Sequence, residues 1–269
     1  MMNILDKIVL NKKEEVALAK KKITVSQLKD SSYFKSEVPS FVSHILAENS
    51  TGIIAEFKRK SPSKGDIHAG ASVKEIVPQY EKAGVAGISI LTDEMFFGGA
   101  SSDLTLGRGV CSLPIIRKEF IIDSYQIYEA KAMGASAILL IGAILTTEET
   151  LAFAKLANEL GMEVLFEIHA EEEMEQLNDY VQLVGINNRN LKTFEVDLEQ
   201  SMRLAAQLPS SMVPIAESGI SSPEDYLTLK AAGFKGFLMG EYFMKKENPG
   251  TACMEFVTTI RSKARNYAG

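Results

Sequence analysis

Tryptophan is absent from this sequence, cysteine occurs twice and histidine three times. Cys111 and Cys253 show no metal-ligand spacing and supply no disulfide framework, so they read as free thiols of a reducing cytoplasm. His44, His68 and His169 are scattered, form no metal spacing and are expected in ordinary structural roles. No Ser–His–Asp or Cys–His set stands out. No apolar run approaches the ~20 residues that a membrane span needs. Residues 1–7 lack the basic start and apolar core of a signal peptide. Positive charge is in deficit: the net charge of -6 argues against a general nucleic-acid binder, while leaving room for a local basic pocket that takes a small anion. These absences predict a cytoplasmic protein that binds neither nucleic acid nor membrane.

Apolar residues are not scarce. They make up 46% of 269 residues, enough for one large core, and a barrel-type α/β domain commonly runs to about 250 residues. Over about residues 4–49 the pattern is helical. Ile4, Ile8, Val9 and Leu10 give apolar spacing, the lysines from Lys12 to Lys22 read as a solvated face, and Phe41, Val42, Ile45 and Leu46 make a second amphipathic segment. Beyond it, strand and helix alternate. Eight short segments rich in Ile, Leu or Val, at 52–57, 86–91, 113–117, 137–141, 163–167, 183–187, 213–217 and 236–239, read as strands covered on both faces.

Helix punctuation separates these segments. Ser72 with Glu75 reads as a capping box, and Gly84 closes that helix, which Pro78 should kink or shift. Asp123 and Gly134 bracket another helix, as do Thr146 with Glu149 and Gly161, and Ser222-Pro223 and Gly233. Gly98, Gly99, Gly107 and Gly109 bracket little but Leu104-Thr105-Leu106, so the helix after the second strand is expected to be short or irregular and its loop mobile. The alternation predicts one (β/α)8 TIM barrel domain over 1–269, with residues 1–50 as an N-terminal helical extension. An open doubly wound sheet would usually carry Gly-x-Gly-x-x-Gly after its first strand, where this chain has Lys-Arg-Lys-Ser-Pro-Ser.

Barrel chemistry sits at the carboxyl ends of the strands. Here those ends carry Glu56 and Lys58, Arg117 to Phe120, Glu167, Asn187 to Arg189, Glu217-Ser218-Gly219 and Gly240-Glu241. The period of 2 puts Glu167 on the face of Leu165, Glu217 on that of Ile215 and Asn187 on that of Leu183, so a polar rim tops an apolar layer. Lys and Glu crowded in a water-poor cup suit general acid/base work; the competing reading is a ring of ion pairs that closes the barrel mouth. Ser218-Gly219 and Gly240 offer backbone N–H groups where such barrels commonly bind phosphate, or serve only as turns. Glu241 would repel a phosphate and must offer its N–H alone.

Ile54-Ala55-Glu56-Phe57-Lys58-Arg59-Lys60-Ser61-Pro62-Ser63 resembles the signature of the indole-3-glycerol phosphate synthase family. Four more blocks match in order: Leu91-Thr92-Asp93 with Phe96-Phe97-Gly98-Gly99, residues 113–123, Gly185-Ile186-Asn187-Asn188-Arg189-Asn190-Leu191, and Ala216-Glu217-Ser218-Gly219-Ile220. The resemblance implies a carboxy-lyase of tryptophan biosynthesis that uses no cofactor and no metal. It would convert 1-(2-carboxyphenylamino)-1-deoxyribulose 5-phosphate into indole-3-glycerol phosphate, CO₂ and water.

Carried over by motif, Lys118 is the general acid at the ribulose carbonyl and Lys58 pairs with the substrate carboxylate. Glu167 is the acid/base for dehydration. Glu56 and Glu217 orient and tune the lysines, and Asn187, Arg189 and Ser61 hold substrate. Phe97, Phe120 and Leu191 wall the ring, and Ser218, Gly219, Gly240 and the Glu241 backbone cradle the phosphate. Glu119 departs from the family's usual Asp and should point away from the pocket. Arg59, Lys60 and Lys64 stay loop charges that steer an anionic substrate. A monomer or weak homodimer is expected. A phosphoribosylanthranilate isomerase would instead favour a Cys/Asp pair at strand ends. A non-catalytic barrel that binds a phosphorylated ligand would have lost some of Glu56, Lys58, Lys118 and Glu167.

Overall fold

Short runs of branched apolar residues favour extended backbone, and eight of them form parallel strands in a computed structural model that describes residues 3–62, 64–189 and 197–268. They are β1 (Ile53–Phe57), β2 (Gly87–Leu91), β3 (Ile115–Lys118), β4 (Ala137–Ile141), β5 (Glu163–Ile168), β6 (Leu183–Asn187), β7 (Val213–Glu217) and β8 (Gly236–Met239). Each pairs with the next, and β8 pairs with β1, Ile53 opposite Phe237, which closes the barrel. Alternation then splits the apolar residues in two. Ile54, Ile116, Leu139, Leu165, Leu183, Ile215 and Leu238 fill the barrel interior. Their neighbours, such as Ile53, Ala55 and Phe57, pack outward with residues of the surrounding helices.

The chain opens with α1 (Ile4–Lys22), α2 (Val25–Lys29) and α3 (Phe41–Leu46). Asn3 and Asp6 form a reciprocal capping box at the start of α1. This extension reaches both ends of the barrel. Ile4, Leu5 and Ile8 border the cavity at the mouth. Lys20 pairs with Asp123 at 2.6 Å, and the Ser31 hydroxyl donates to Ala132 O at 2.6 Å, along the flank. At the opposite end Phe41 is fully buried, over a Gly87 whose missing side chain leaves room for its ring. Glu163, at the first position of β5, accepts from Ser40 Oγ and the Phe41 amide, both at 2.5 Å.

The lysines of α1 do not all face water. Lys12 is 3% exposed, its Nζ 2.9 Å from Glu119 Oε1, 3.0 Å from Asp93 Oδ2 and 2.5 Å from Glu15 Oε2. It lies four residues from both Ile8 and Val16, on the buried stripe. Burial alone would lower its pKa; the carboxylates of Glu119, Asp93 and Glu15 outweigh that and raise it.

The barrel helices are α4 (Val73–Ala83), α5 (Ser101–Val110), α6 (Ser124–Met133), α7 (Thr147–Glu159), α8 (Leu198–Ala205), α9 (Pro223–Ala231), α10 (Glu241–Met244) and α11 (Pro249–Ala268). The caps at Asp123, Thr146 and Ser222 form as expected. The helix α4 continues past Pro78 to Ala83. Two expectations fail. Ser72 makes no side-chain cap bond. The glycine-bracketed stretch forms the ten-residue α5, because packing overrides propensity. A Cβ on Gly107 would sit 2.6 Å from Ile90 Cδ1, so glycine lets α5 lie against β2.

Candidate active site

Period-2 alternation brings an inward side chain to the carboxyl end of nearly every strand, and those ends line one cavity of about 220 Å³. Glu56, Lys58, Ser61, Phe97, Lys118, Phe120, Glu167, Asn187, Arg189, Glu217, Ser218, Gly219, Gly240 and Glu241 all border it. Leu191 lies outside the described residues.

Lys118 ends β3 at the centre of this cup. Its Nζ donates to Glu167 Oε2 at 2.8 Å and to Glu217 Oε2 at 2.7 Å. An ammonium has three N–H donors, which leaves one for a group in the cavity. Burial alone would lower the lysine's pKa; Glu167, Glu217 and then Glu56 outweigh it and hold the ammonium above the ordinary lysine range. The two carboxylates diverge. Burial would raise Glu167, but Lys118 and His169 hold it well below the usual carboxylate range. Burial and the neighbouring Glu167 charge push Glu217 up to about 7 against the pull of Lys118. Its Oε1 has no hydrogen-bond partner among the described residues and lies where a side chain on Gly185 would collide, so glycine in β6 makes its place.

The first strand supplies a second pair. Lys58 Nζ lies 2.6 Å from Glu56 Oε2, and a Cβ on Gly240 would strike that same oxygen. The loop after β1 is tied down by Arg59, which the sequence suggested was a loop charge. Its guanidinium pairs with Asp103, its Nε donates to Ala71 O at 3.0 Å, and it stacks 4.8 Å from the Phe57 ring centroid. A short antiparallel ladder, Lys60–Ser61 with Gly65–Asp66, follows and seats the buried Ser61.

Between these pairs, Asn187 Nδ2 donates to Glu167 Oε1 at 3.1 Å and Asn187 Oδ1 accepts from the Arg189 amide at 3.1 Å. Phe97 and Phe120 meet with ring centroids 5.8 Å apart. Asp93 Oδ1 accepts from the amides of Phe96 and Phe97 at 2.8 and 3.2 Å and so places that wall. Glu119 borders the cavity, but its carboxylate turns to Thr92 Oγ1, at 2.7 Å, and to Lys12. After β7, Ser218 (φ 65°) and Gly219 (φ 73°) both take left-handed backbone. For a serine that costs on the order of 1–2 kcal/mol, and Asn188 Nδ2 holds the turn by donating to Ser218 O at 2.7 Å. The Glu241 carboxylate lies 3.6 Å from Arg189 Nη2.

Sequence reasoning passed over three contributors. Ile4, Leu5 and Ile8 complete the cavity wall, though their helical spacing was visible. Asn188 was read only as part of a polar strand end. His169, expected in an ordinary role, stands with Nε2 3.2 Å from Glu167 Oε1.

Known proteins place this chain in a family. The family described as indole-3-glycerol phosphate synthase matches residues 5–256. A synthase of that name from Bacteroides thetaiotaomicron is 50% identical over 263 residues, 97% of this chain and 100% of the relative. Another, from Polaromonas sp., is 43% identical, covering 94% of this chain and 97% of the relative. Among solved structures, a chain of the tryptophan synthase α2β2 complex of Pyrococcus furiosus superposes with a TM-score of 0.59 at 16% identity, over 79% of this chain and 98% of that one. The α subunit of tryptophan synthase from Legionella pneumophila gives 0.56 at 14% identity, over 80% and 92%. The structural likenesses carry the barrel fold alone; on the sequence matches, this chain belongs to the indole-3-glycerol phosphate synthase family.

Proposed function

We propose that this cavity closes the indole ring, turning 1-(2-carboxyphenylamino)-1-deoxyribulose 5-phosphate into indole-3-glycerol phosphate, CO₂ and water, and that the rim residues divide the work. The ring carbon that bears the carboxylate attacks the ribulose carbonyl, and Lys118 gives its proton to the carbonyl oxygen. Lysine suits this step because it both carries charge and releases a proton, whereas arginine does not deprotonate. The carboxylate leaves as CO₂ and returns its electron pair to the ring. The new hydroxyl is then protonated and leaves as water while a base removes a proton from the adjacent carbon. Glu167 serves this dehydration with Lys58, which first pairs with the substrate carboxylate. Glu56 and Glu217 hold the two lysines. Asn187, Arg189 and Ser61 orient the substrate, and Phe97 and Phe120 keep the aromatic ring within attacking distance. Backbone N–H groups at Ser218, Gly219, Gly240 and Glu241 take the phosphate.

The observation that carries this reading is Lys118 shared between Glu167 and Glu217, with one N–H left for the cavity. The reading extends to one domain acting as a monomer or weak dimer in the cytoplasm. Lys12 ties the extension to the mouth, and both cysteines are free and buried. The test is direct. The substrate is added to pure protein and indole fluorescence is followed; with no tryptophan in the chain, the protein's own emission in that window is low. A time-dependent indole signal is expected, and folded protein that gives none overturns the proposal.

A further inference from the structure

Glu167 and His169 stand two residues apart around the end of β5, on one face by strand periodicity. The imidazole lies between two carboxylates. Nε2 is 3.2 Å from Glu167 Oε1 and Nδ1 is 3.8 Å from Glu173 Oε2. Glu173 belongs to the 3₁₀ turn Glu171–Gln176, and its Oε2 also accepts from the His169 amide at 2.8 Å. Room for it comes from Gly142, where a Cβ would sit 3.2 Å from both Glu173 Cβ and Oε2. The ring is 13% exposed, and neither nitrogen has a well-directed hydrogen bond among the described residues. A neutral imidazole has a single N–H, so one of its nitrogens would turn a bare lone pair toward a carboxylate; the imidazolium presents an N–H to each. His169 is not among the residues that border the cavity.

We propose that His169 is a positioning residue for Glu167: its ring, braced by Glu173, holds Oε1 so that Oε2 keeps facing Lys118 and the reacting carbonyl. This rests on the reading of Glu167 as an acid/base group. The remaining groups are consistent with it. Asn187 Nδ2 meets Oε1 as well, and Lys118, itself shared with Glu217, meets Oε2. Burial alone would lower the imidazole pKa; Glu167 and Glu173 outweigh it and raise the group to about 10, so the ring is a cation at neutral pH. Its charge matters at one moment. When Lys118 gives up its proton, a fixed cation behind Glu167 keeps that carboxylate a weak competitor, so the proton goes to the substrate oxygen.

The experiment measures kcat and KM from pH 3 to 9 for wild type, His169→Ala, His169→Asn, Glu173→Gln and Glu167→Gln. For His169→Ala, kcat is expected to fall about tenfold or more with KM little changed. Removing a cation beside Glu167 raises its pKa, so the acid limb of kcat should move to higher pH by about half a unit or more. His169→Asn should recover thermal stability without recovering the limb, and Glu173→Gln should shift the limb the same way by less. Three histidines make ¹⁵N imidazole spectra easy to assign, and one imidazolium should persist at pH 8 in the wild type and vanish in both His169 variants. If His169→Ala does not fold, the Asn and Gln variants and the spectra decide. A folded His169 variant with normal kcat and an unmoved acid limb overturns the proposal, as do three neutral imidazoles at pH 8. An active Glu167→Gln enzyme overturns it by a different route, by removing the role of Glu167 itself.

Discussion

Lys118 is the residue on which most of the rim bears. Its ammonium replaces water with two carboxylates, and its charge is held by them before any substrate arrives. Lys118→Ala removes the proton donor while leaving the cavity open, so kcat should fall by about two orders of magnitude or more. KM should change far less; steady-state kinetics by indole fluorescence read both, and near-normal turnover would remove Lys118 from the mechanism. Residue by residue, the site was legible where period 2 governed it. Glu167, Asn187 and Glu217 were read from alternation and are found at the rim. His169 obeys the same rule, two positions beyond Glu167, and was missed because scattered histidines were weighed only as metal ligands or as members of nucleophilic sets.

Among the elements, α1 was misjudged most, and for a physical reason. A lysine-rich helix reads as solvated because lysine is seldom buried, yet Lys12 shares a stripe with Ile8 and Val16. The i, i+4 spacing was in the sequence; its carboxylate partners, Asp93 and Glu119, lie on distant loops and could not be paired with it from spacing alone. Lys12→Met takes the nearest cation from two buried carboxylates, leaving Glu119 only Arg117 at 3.8 Å, a change that costs about 3–5 kcal/mol. In a protein of this size that lowers the melting temperature by roughly 10 °C. Lys20→Met should cost less than about 1 kcal/mol, since the Lys20–Asp123 pair is half in water. Thermal melts of the two variants make the comparison; equal shifts would mean that the buried cluster adds nothing. α5 shows the opposite bias. Glycine argued against a helix, and only the closeness of Ile90 explains why glycine is there.

For the molecule as a whole, the buried rim sets a pH dependence of stability. Glu217 is raised to about 7 when folded, above the ordinary carboxyl value of about 4.5. Between those values the folded state binds the extra proton, so stability falls as pH rises from about 5 to 7. Glu217→Gln removes that penalty without adding charge. Its melting temperature relative to wild type should therefore rise between pH 5 and pH 8, by roughly 3 °C or more. A constant difference across that range would show that Glu217 is ionised throughout.

The pairing of β8 with β1 has a further consequence, in the order of events on the ribosome. Glu56 and Lys58 come from the first barrel strand, whereas Ser218, Gly219 and Gly240 come from the last two strand ends. They are neighbours only because Ile53 meets Phe237, with nearly the whole barrel sequence between them. A contact spanning so much chain cannot form until the final strand has left the exit tunnel, and its closure entropy is among the largest in the fold. The amino-terminal pair therefore waits, unshielded, through most of translation, and binding competence arrives late, with the seam that joins the oldest strand to the newest.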